Sequence, residues 1–331
     1  MVYNLAVSLS RGVFTYTLTN TLFHQVIIVR KRPPLSFPQL LVCISLLCAL
    51  TGALTLVASH TSPDRRFEQF TSQLFQEEMT GSTLNMHYTI ADPKTFGISE
   101  YEPVLPIYHS GQPEDSKEHC SDLLHRLDRI DPDRLSPENA YTYRLLHRSL
   151  ENDLALADFP YYNEPLSPSS GMQSQLPVLL AEYTFRTKRD VTDYLALLDQ
   201  IDDYFASLLL YEQEKAAAGF FMPACSSEKV RKQCDTIVTT EELAQGTHFL
   251  QTTFEDRLSE LQKQGLFTPE ETASLIETND RLLATVVQPA YDALSEGLLS
   301  LETSTNADST ASETTANAAS GENNSAHNGD R

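Results

Sequence analysis

The sequence predicts a mainly α-helical protein: a multi-helix body with a short irregular or extended segment, preceded by one transmembrane or signal helix and followed by a disordered tail. Three observations carry that expectation. Cap residues that open helices recur through residues 60–302, apolar residues there advance by three or four, and both ends of the chain differ in composition from the middle.

The elements follow in order. Residues 1–36 are patchily apolar, in "GVFTYTLTNTLFHQVIIV", and read as a cytoplasmic segment. A second span there, or a true start near Val29 with the head "VRKRPP", is the alternative. Residues 37–59, "FPQLLVCISLLCALTGALTLVAS", carry no charge, and 23 residues suffice to cross about 30 Å of hydrocarbon as a helix. Arg30, Lys31 and Arg32 precede them, and basic residues tend to stay on the cytoplasmic side, which places the body outside. The same stretch fits a signal peptide with a small-residue exit, "VAS". The cell membrane is therefore one expected partner, with secretion the outcome if the signal is cleaved.

In the body, Ser62 then Pro63, Ser136 then Pro137, and Thr268 then Pro269 each pair a cap with proline at the first helical position. Thr268 with Glu271 and Thr239 with Glu242 have the spacing of capping boxes. Phe67, Phe70, Leu74 and Phe75 mark a first helix, with Gly81 as a left-handed stop, and Tyr143, Leu146, Leu150 and Leu154 mark another. From Val191 through Tyr194, Leu198, Ile201 and Phe205 to Leu209 one stripe runs unbroken, with Asp193, Asp199 and Asp203 turned away. Leu250, Phe254, Leu258 and Leu261, then Ile276, Leu283 and Val286 before Pro289, mark two more. Such stripes are core. Past Glu302 no large apolar residue remains, so residues 303–331 are expected to be disordered, as a tail or a linker.

Charge excludes one class of partner. The whole chain carries −21; Arg11, Arg30, Lys31 and Arg32 are the only charges before residue 60, and the tail carries −3, which leaves −22 on residues 60–302. A surface so negative repels phosphate backbones, so nucleic acid is not a partner. Cys43, Cys48, Cys120, Cys225 and Cys234 form no disulfide framework in a chain this long. A Cys225–Cys234 bridge is the minority reading and buried thiols the majority one.

Motifs for chemistry are missing. None of the nine His residues is followed by Glu, so a His-Glu-x-x-His zinc motif is absent. His119, Cys120, Asp122 and His125 in "KEHCSDLLHRLD" are better read as a solvated helix surface than as a metal site. No nucleophile elbow, phosphate-binding loop or dinucleotide fingerprint occurs. No catalytic residue and no metal ligand is assigned.

Two stretches stand outside the helical rhythm. "LNMHYTIADPKTFGI", Leu84 to Ile98, is rich in β-branched and aromatic residues before a turn at Asp92 and Pro93. "LSPSSGMQSQLPVLLAEY" has no charge until Glu182; Gly171 there permits close backbone approach or a positive φ, and Met172 to Leu180 read as extended. An extended uncharged run offers an edge to a peptide, which makes Ser170, Gly171, Gln173 and Tyr183 the substrate-lining candidates. A plain connector anchored by Leu176, Val178 and Leu179 is the competing reading.

These stretches, with "PLSPSSGMQSQLPVLLAEYTFRTKRDVTDYLALL" and "YEQEKAAAGFFMP", resemble the N-terminal half of the bacterial domain of unknown function 885 family over about residues 64–302. The resemblance implies a helical, zinc-peptidase-like protein, secreted or membrane-anchored. The family's His-Glu-x-x-Pro-Gly-His run, expected in a C-terminal half, has no counterpart in this chain. Zinc is therefore expected only with that missing half, itself a partner. The leading expectation is a noncatalytic N-terminal portion of an extracytoplasmic peptidase-like protein. The alternative is a self-sufficient helical peptide-binding module, and an autonomous hydrolase ranks last.

Overall fold

The computed structural model describes residues 4–10, 13–20, 23–30, 45 and 62–304. The predicted membrane run 37–59 and the predicted tail 303–331 lie outside them, apart from Ser45, Thr303 and Ser304. No helix among the described residues is long and apolar enough to cross a membrane. Two compact units are distinguished, Met1–Arg65 and Arg66–Arg331.

In the first unit three strands, β1 (Asn4–Ser10), β2 (Val13–Asn20) and β3 (Phe23–Arg30), form an antiparallel meander in the order β1-β2-β3. Ser10 pairs with Val13, and Val13 with Arg30. The segment read as patchily apolar is therefore a sheet. Its period-two signal is the alternation Phe14, Tyr16, Leu18 against Thr15, Thr17, Thr19.

The rest is helical, in agreement with the predicted class. The helices are α1 (Pro63–Thr80), α2 (Thr83–Thr89), α3 (Gln112–Leu127), α4 (Pro137–Leu156), α5 (Met172–Glu182), α6 (Lys188–Leu198), α7 (Ile201–Ala217), α8 (Ala224–Ile237), α9 (Thr240–Gln245), α10 (Phe249–Lys263) and α11 (Pro269–Leu282). A π turn, Leu283–Val287, joins α11 to a final helix over residues 288–304, α12.

The predicted caps form as donors require. Ser62, Ser136 and Thr268 accept from the backbone N–H of Arg65, Asn139 and Glu271. Thr268 and Glu271 complete a reciprocal box. At Thr239 only half of it forms, because the Glu242 carboxylate meets the Thr239 hydroxyl instead of its N–H. Gly81 does not take the predicted left-handed φ. Instead Ser82 immediately caps α2 by accepting from Asn85 N–H.

Four expectations need correction. The stripe from Val191 to Leu209 is two helices, broken at Asp199 and Gln200. Gln200 turns its amide to the Pro103 and Ala196 carbonyls at 3.0 and 2.9 Å. Asp193 does not face solvent: it is buried and accepts from the Tyr101 hydroxyl at 2.6 Å. Leu84 to Thr89 lies in a helix, because the Ser82 cap and the burial of Leu84, Met86 and His87 outweigh local strand preference. Pro289 does not end α11: the π turn passes its Gln288 N–H bond back to Leu283, widening the helix where proline's ring would otherwise strike the preceding turn.

Three hydrophobic clusters hold the helical unit. The largest joins α5 to α8 with α10, α11 and α12, around Tyr194, Phe205, Phe254 and Tyr291. A second lies among α1, α3 and α4, around Phe67, Leu127 and Leu150. A third, with Met79, Met86, Ile90 and Ile98, packs α1 and α2 against the loop that follows. Cys225 is exposed and Cys234 buried, both as free thiols, so the expectation of two buried thiols holds for Cys234 alone.

Candidate functional site

The "LSPSSGMQSQLPVLLAEY" stretch is not an exposed edge. Met172–Glu182 is helix α5, with Gly171 at φ −75° as its N-cap. The close approach expected of Gly171 is real: an added Cβ would lie 2.3 Å from Ser167 N and 2.6 Å from Ser167 O. Gln173 is fully buried, and its Nε2 donates to the Ser167 carbonyl at 2.7 Å and to Gln233 Oε1 at 2.8 Å. Ser170 is exposed, and its carbonyl accepts from Gln175 Nε2 at 2.8 Å. Pro177 lacks the N–H that would reach the Gln173 carbonyl, and the buried Tyr291 hydroxyl donates there at 2.8 Å. Ser170, Gly171 and Gln173 thus build a turn sealed against α8. Of the anchors of the connector reading, Leu176 is buried, Leu179 half-buried and Val178 exposed.

Tyr183, the fourth candidate, sits at the other end of α5 and lines a cleft of about 700 Å³. Its walls are α2, the loop 91–101 and the first turn of α6. On α2, Met86 and His87 face it; the loop adds Ile98 and Tyr101, α6 adds Arg189 and Asp190, and Arg186 joins them from just before the Thr187 cap. The His87 ring stacks on Tyr183 with centroids 3.6 Å apart. Thr184 N–H donates to His87 Nε2 at 3.1 Å, so in the neutral ring the proton is on Nδ1. That N–H looks toward Asp190 Oδ1 at 3.8 Å, beyond hydrogen-bond reach. Burial, reinforced by the charge of Arg186, lowers the His87 pKa to about 4, against the opposite pull of Asp190. At neutral pH His87 is an uncharged donor whose basic lone pair is already occupied.

Asp190 is held by its own helix, closing a capping box with Thr187 and accepting from Arg186 N–H at 2.8 Å. The residue before it, Arg189, lies over the Tyr101 ring at 3.8 Å, places Nε 3.5 Å from Asp193, and donates to the Tyr101 carbonyl. Burial is the main cause that raises the Asp193 pKa, and burial with the Asp193 bond raises Tyr101 to about 12. This clasp pins the loop to α6. From below, Arg257 of α10 donates to the carbonyls of Leu180 (3.0 Å) and Tyr183, closing the end of α5, and covers the Phe185 ring at 4.4 Å.

The cleft is lined by the cations Lys94, Arg186 and Arg189, by the carboxylates Asp92, Glu100 and Asp190, and by apolar positions such as Met86 and Ile98. No His in the sequence is followed directly by Glu, and among the described residues no group of three or more His, Cys, Asp or Glu is placed to hold a metal ion. His119, Asp122 and His125 stand exposed on α3, and Asp122 faces Arg126 at 3.7 Å.

Residues 94–324 match the family described as "Bacterial protein of unknown function (DUF885)". The chain belongs to that family. No curated protein matches it. Among solved structures, the "putative lipoprotein" of Colwellia psychrerythraea is similar in fold, with a TM-score of 0.58 at 17% identity. The similarity covers 72% of this chain and 41% of that one, so this chain spans about two-fifths of that relative's length.

Of the residues that make the cleft, the sequence pointed to Tyr183 alone. His87 and Tyr101 were hidden because neither is charged or patterned. Arg186 and Arg189 carried a usable signal: two cations beside a Thr-x-x-Asp cap, in a body that is otherwise strongly acidic.

Proposed function

We propose that residues 62–304 are the noncatalytic, peptide-binding portion of a membrane-anchored, extracytoplasmic, peptidase-like protein of this family. The observation that carries the reading is the cleft between α2 and α6, with His87 Nδ1–H, Arg186 and Arg189 as donors around an apolar floor. A peptide backbone supplies carbonyls to such donors, and a terminal carboxylate suits an arginine. Phe159, Tyr162 and Phe220 are all more than half exposed, as expected of a surface covered by a further portion of a longer protein. The extracytoplasmic side is supported by Arg30, Lys31 and Arg32 ahead of the uncharged run, and by the lipoprotein description of the similar structure.

The test is fluorescence anisotropy of labelled, unstructured octapeptides titrated with the full chain, with mass spectrometry of the same mixtures after zinc addition. The expected outcome is saturable binding, weakened about tenfold by Arg186→Ala, as loss of one charge-assisted hydrogen bond implies, and intact peptides. Absence of saturation would remove the binding claim. Turnover that a chelator abolishes would remove the noncatalytic one.

A further inference from the structure

A separate cavity of about 310 Å³ lies between α3, the end of α4, the loop that follows α4, and α7. None of its residues lines the α2–α6 cleft. Its size is at the small end for ligand pockets, about 300–1,000 Å³, so it suits one small group. Tyr108, Phe159 and Tyr211 give it aromatic walls and Leu156 an apolar one. The Tyr108 and Tyr211 rings stand at 79° with centroids 5.0 Å apart, and Phe159 is more than half exposed. Both tyrosine hydroxyls are already committed as donors. That of Tyr211 bonds the carbonyls of Pro160 and Asn163 at 3.2 and 2.9 Å, and that of Tyr108 bonds Glu214. What the tyrosines can offer a ligand is therefore ring surface, which carries negative electrostatic potential on its face.

The charge of the lining has one sign. Asp153 is its only formally charged residue, exposed and with no hydrogen bond or ion pair to its carboxylate among the described residues. Its field is felt at the wall: burial, and then the Asp153 charge, raise the pKa of the Cys120 thiol, which lines the same cavity. The cations next to the lining are engaged, Lys117 with Asp158 and Lys215 with Glu164, each at 2.5 Å. Glu214 accepts from both Ser110 and Tyr108, and those bonds lower its pKa, so a second negative charge is bonded to the Tyr108 phenol. Such a site repels anions. A divalent metal needs six or more oxygen ligands, which a single free carboxylate does not supply, and a primary ammonium is strongly hydrated. An alkylated ammonium gives up little hydration and is held by ring faces.

We propose that this cavity binds a trimethylammonium group, held by the rings of Tyr108, Phe159 and Tyr211 and balanced by Asp153. The same group occurs free, as in choline, and as the headgroup of phosphatidylcholine, so the test has an arm for each.

Saturation-transfer NMR of the methyl protons, with the full chain, compares choline, its uncharged carbon isostere dimethylbutanol, and dihexanoyl phosphatidylcholine below its micelle concentration. The expected result is saturable binding of choline, roughly tenfold tighter than the isostere, as a partly desolvated cation–π site implies. Asp153→Asn and Phe159→Leu, both at exposed positions, should each weaken it by roughly threefold to fivefold with unchanged circular dichroism. Tighter binding of the phospholipid, lost to the same degree in Asp153→Asn, makes the headgroup the occupant; choline as tight or tighter makes it the free ion. No saturable binding of either, equal affinity for choline and its isostere, or binding that neither substitution weakens overturns the proposal.

Discussion

Gly171→Ala separates the turn seen here from a peptide-pairing edge. The backbone at Gly171 has φ −75°, which alanine adopts freely, so the whole cost is steric. The new Cβ would lie 2.0 Å from Gln173 Oε1, 2.3 Å from Ser167 N and 2.6 Å from Ser167 O. The glutamine end can swing only by giving up its bonds to Ser167 O and Gln233, and the two backbone atoms cannot move without opening the turn. Overpacking of this kind costs about 1–3 kcal/mol, and the weakening of those two hydrogen bonds about 1 more together, giving ~3 kcal/mol. For a body of this size that lowers Tm by about 6–12 °C. The comparison variant is Gly246→Ala, whose φ of 67° is left-handed but which meets nothing within 4 Å; it should cost ~1 kcal/mol, or about 2–4 °C. Thermal unfolding followed by circular dichroism compares the two. If Gly171→Ala melts no lower than Gly246→Ala, the turn is not packed as described and the edge reading returns.

Further variants probe the caps, the buried titratable groups and the thiols. Thr268→Ala removes one half of the reciprocal box and should cost ~1 kcal/mol in urea unfolding. His87 has a folded pKa of about 4 against 6.5 unfolded, so the unfolded chain takes up the proton first; stability falls as pH drops from 6.5 toward 4, by up to ~3 kcal/mol. His87→Phe should flatten the urea midpoint across that window. Glu212 has the opposite sign: burial raises it from 4.5 to about 7, so the native state holds its proton longer and stability falls as pH rises from 4.5 through 7. Glu212→Gln should be more stable than the parent at pH 8 and equal to it at pH 4. Thiol titration of the native protein should find Cys225 fast and Cys234 silent until unfolding, because burial pushes the Cys234 thiol up to about 12.

How far the sequence could be read depended on whether a signal was local. Caps and stripes are local, and Ser62, Ser136, Thr268, Phe254 and Leu258 behave as their spacing predicts. The break at Asp199 and Gln200 was not legible, because the apolar spacing continues across it and its cause, the Gln200 amide reaching Pro103, is 97 residues away in the chain. Helix α5 was misread for a related reason: an interior proline argues against helix locally, and only the distant Tyr291 hydroxyl resolves the carbonyl it leaves unpaired. At Pro289 the accommodation is local, a π turn that apolar spacing does not announce, and it carries the chain into the final helix, where Tyr291, Leu294 and Leu298 keep the spacing. The site was least legible of all. Its members come from residues 83–101 and 183–190, and no single window holds both His87 and Asp190.

Amide hydrogen exchange of the full chain, with and without saturating unstructured octapeptide, tests most directly that the α2–α6 cleft is where peptide is held. The account predicts slower exchange confined to residues 83–101 and 183–190, lost when Arg186 is replaced by alanine, with 167–175 unchanged. Protection centred on Ser170 to Gln175, or none anywhere, would contradict it.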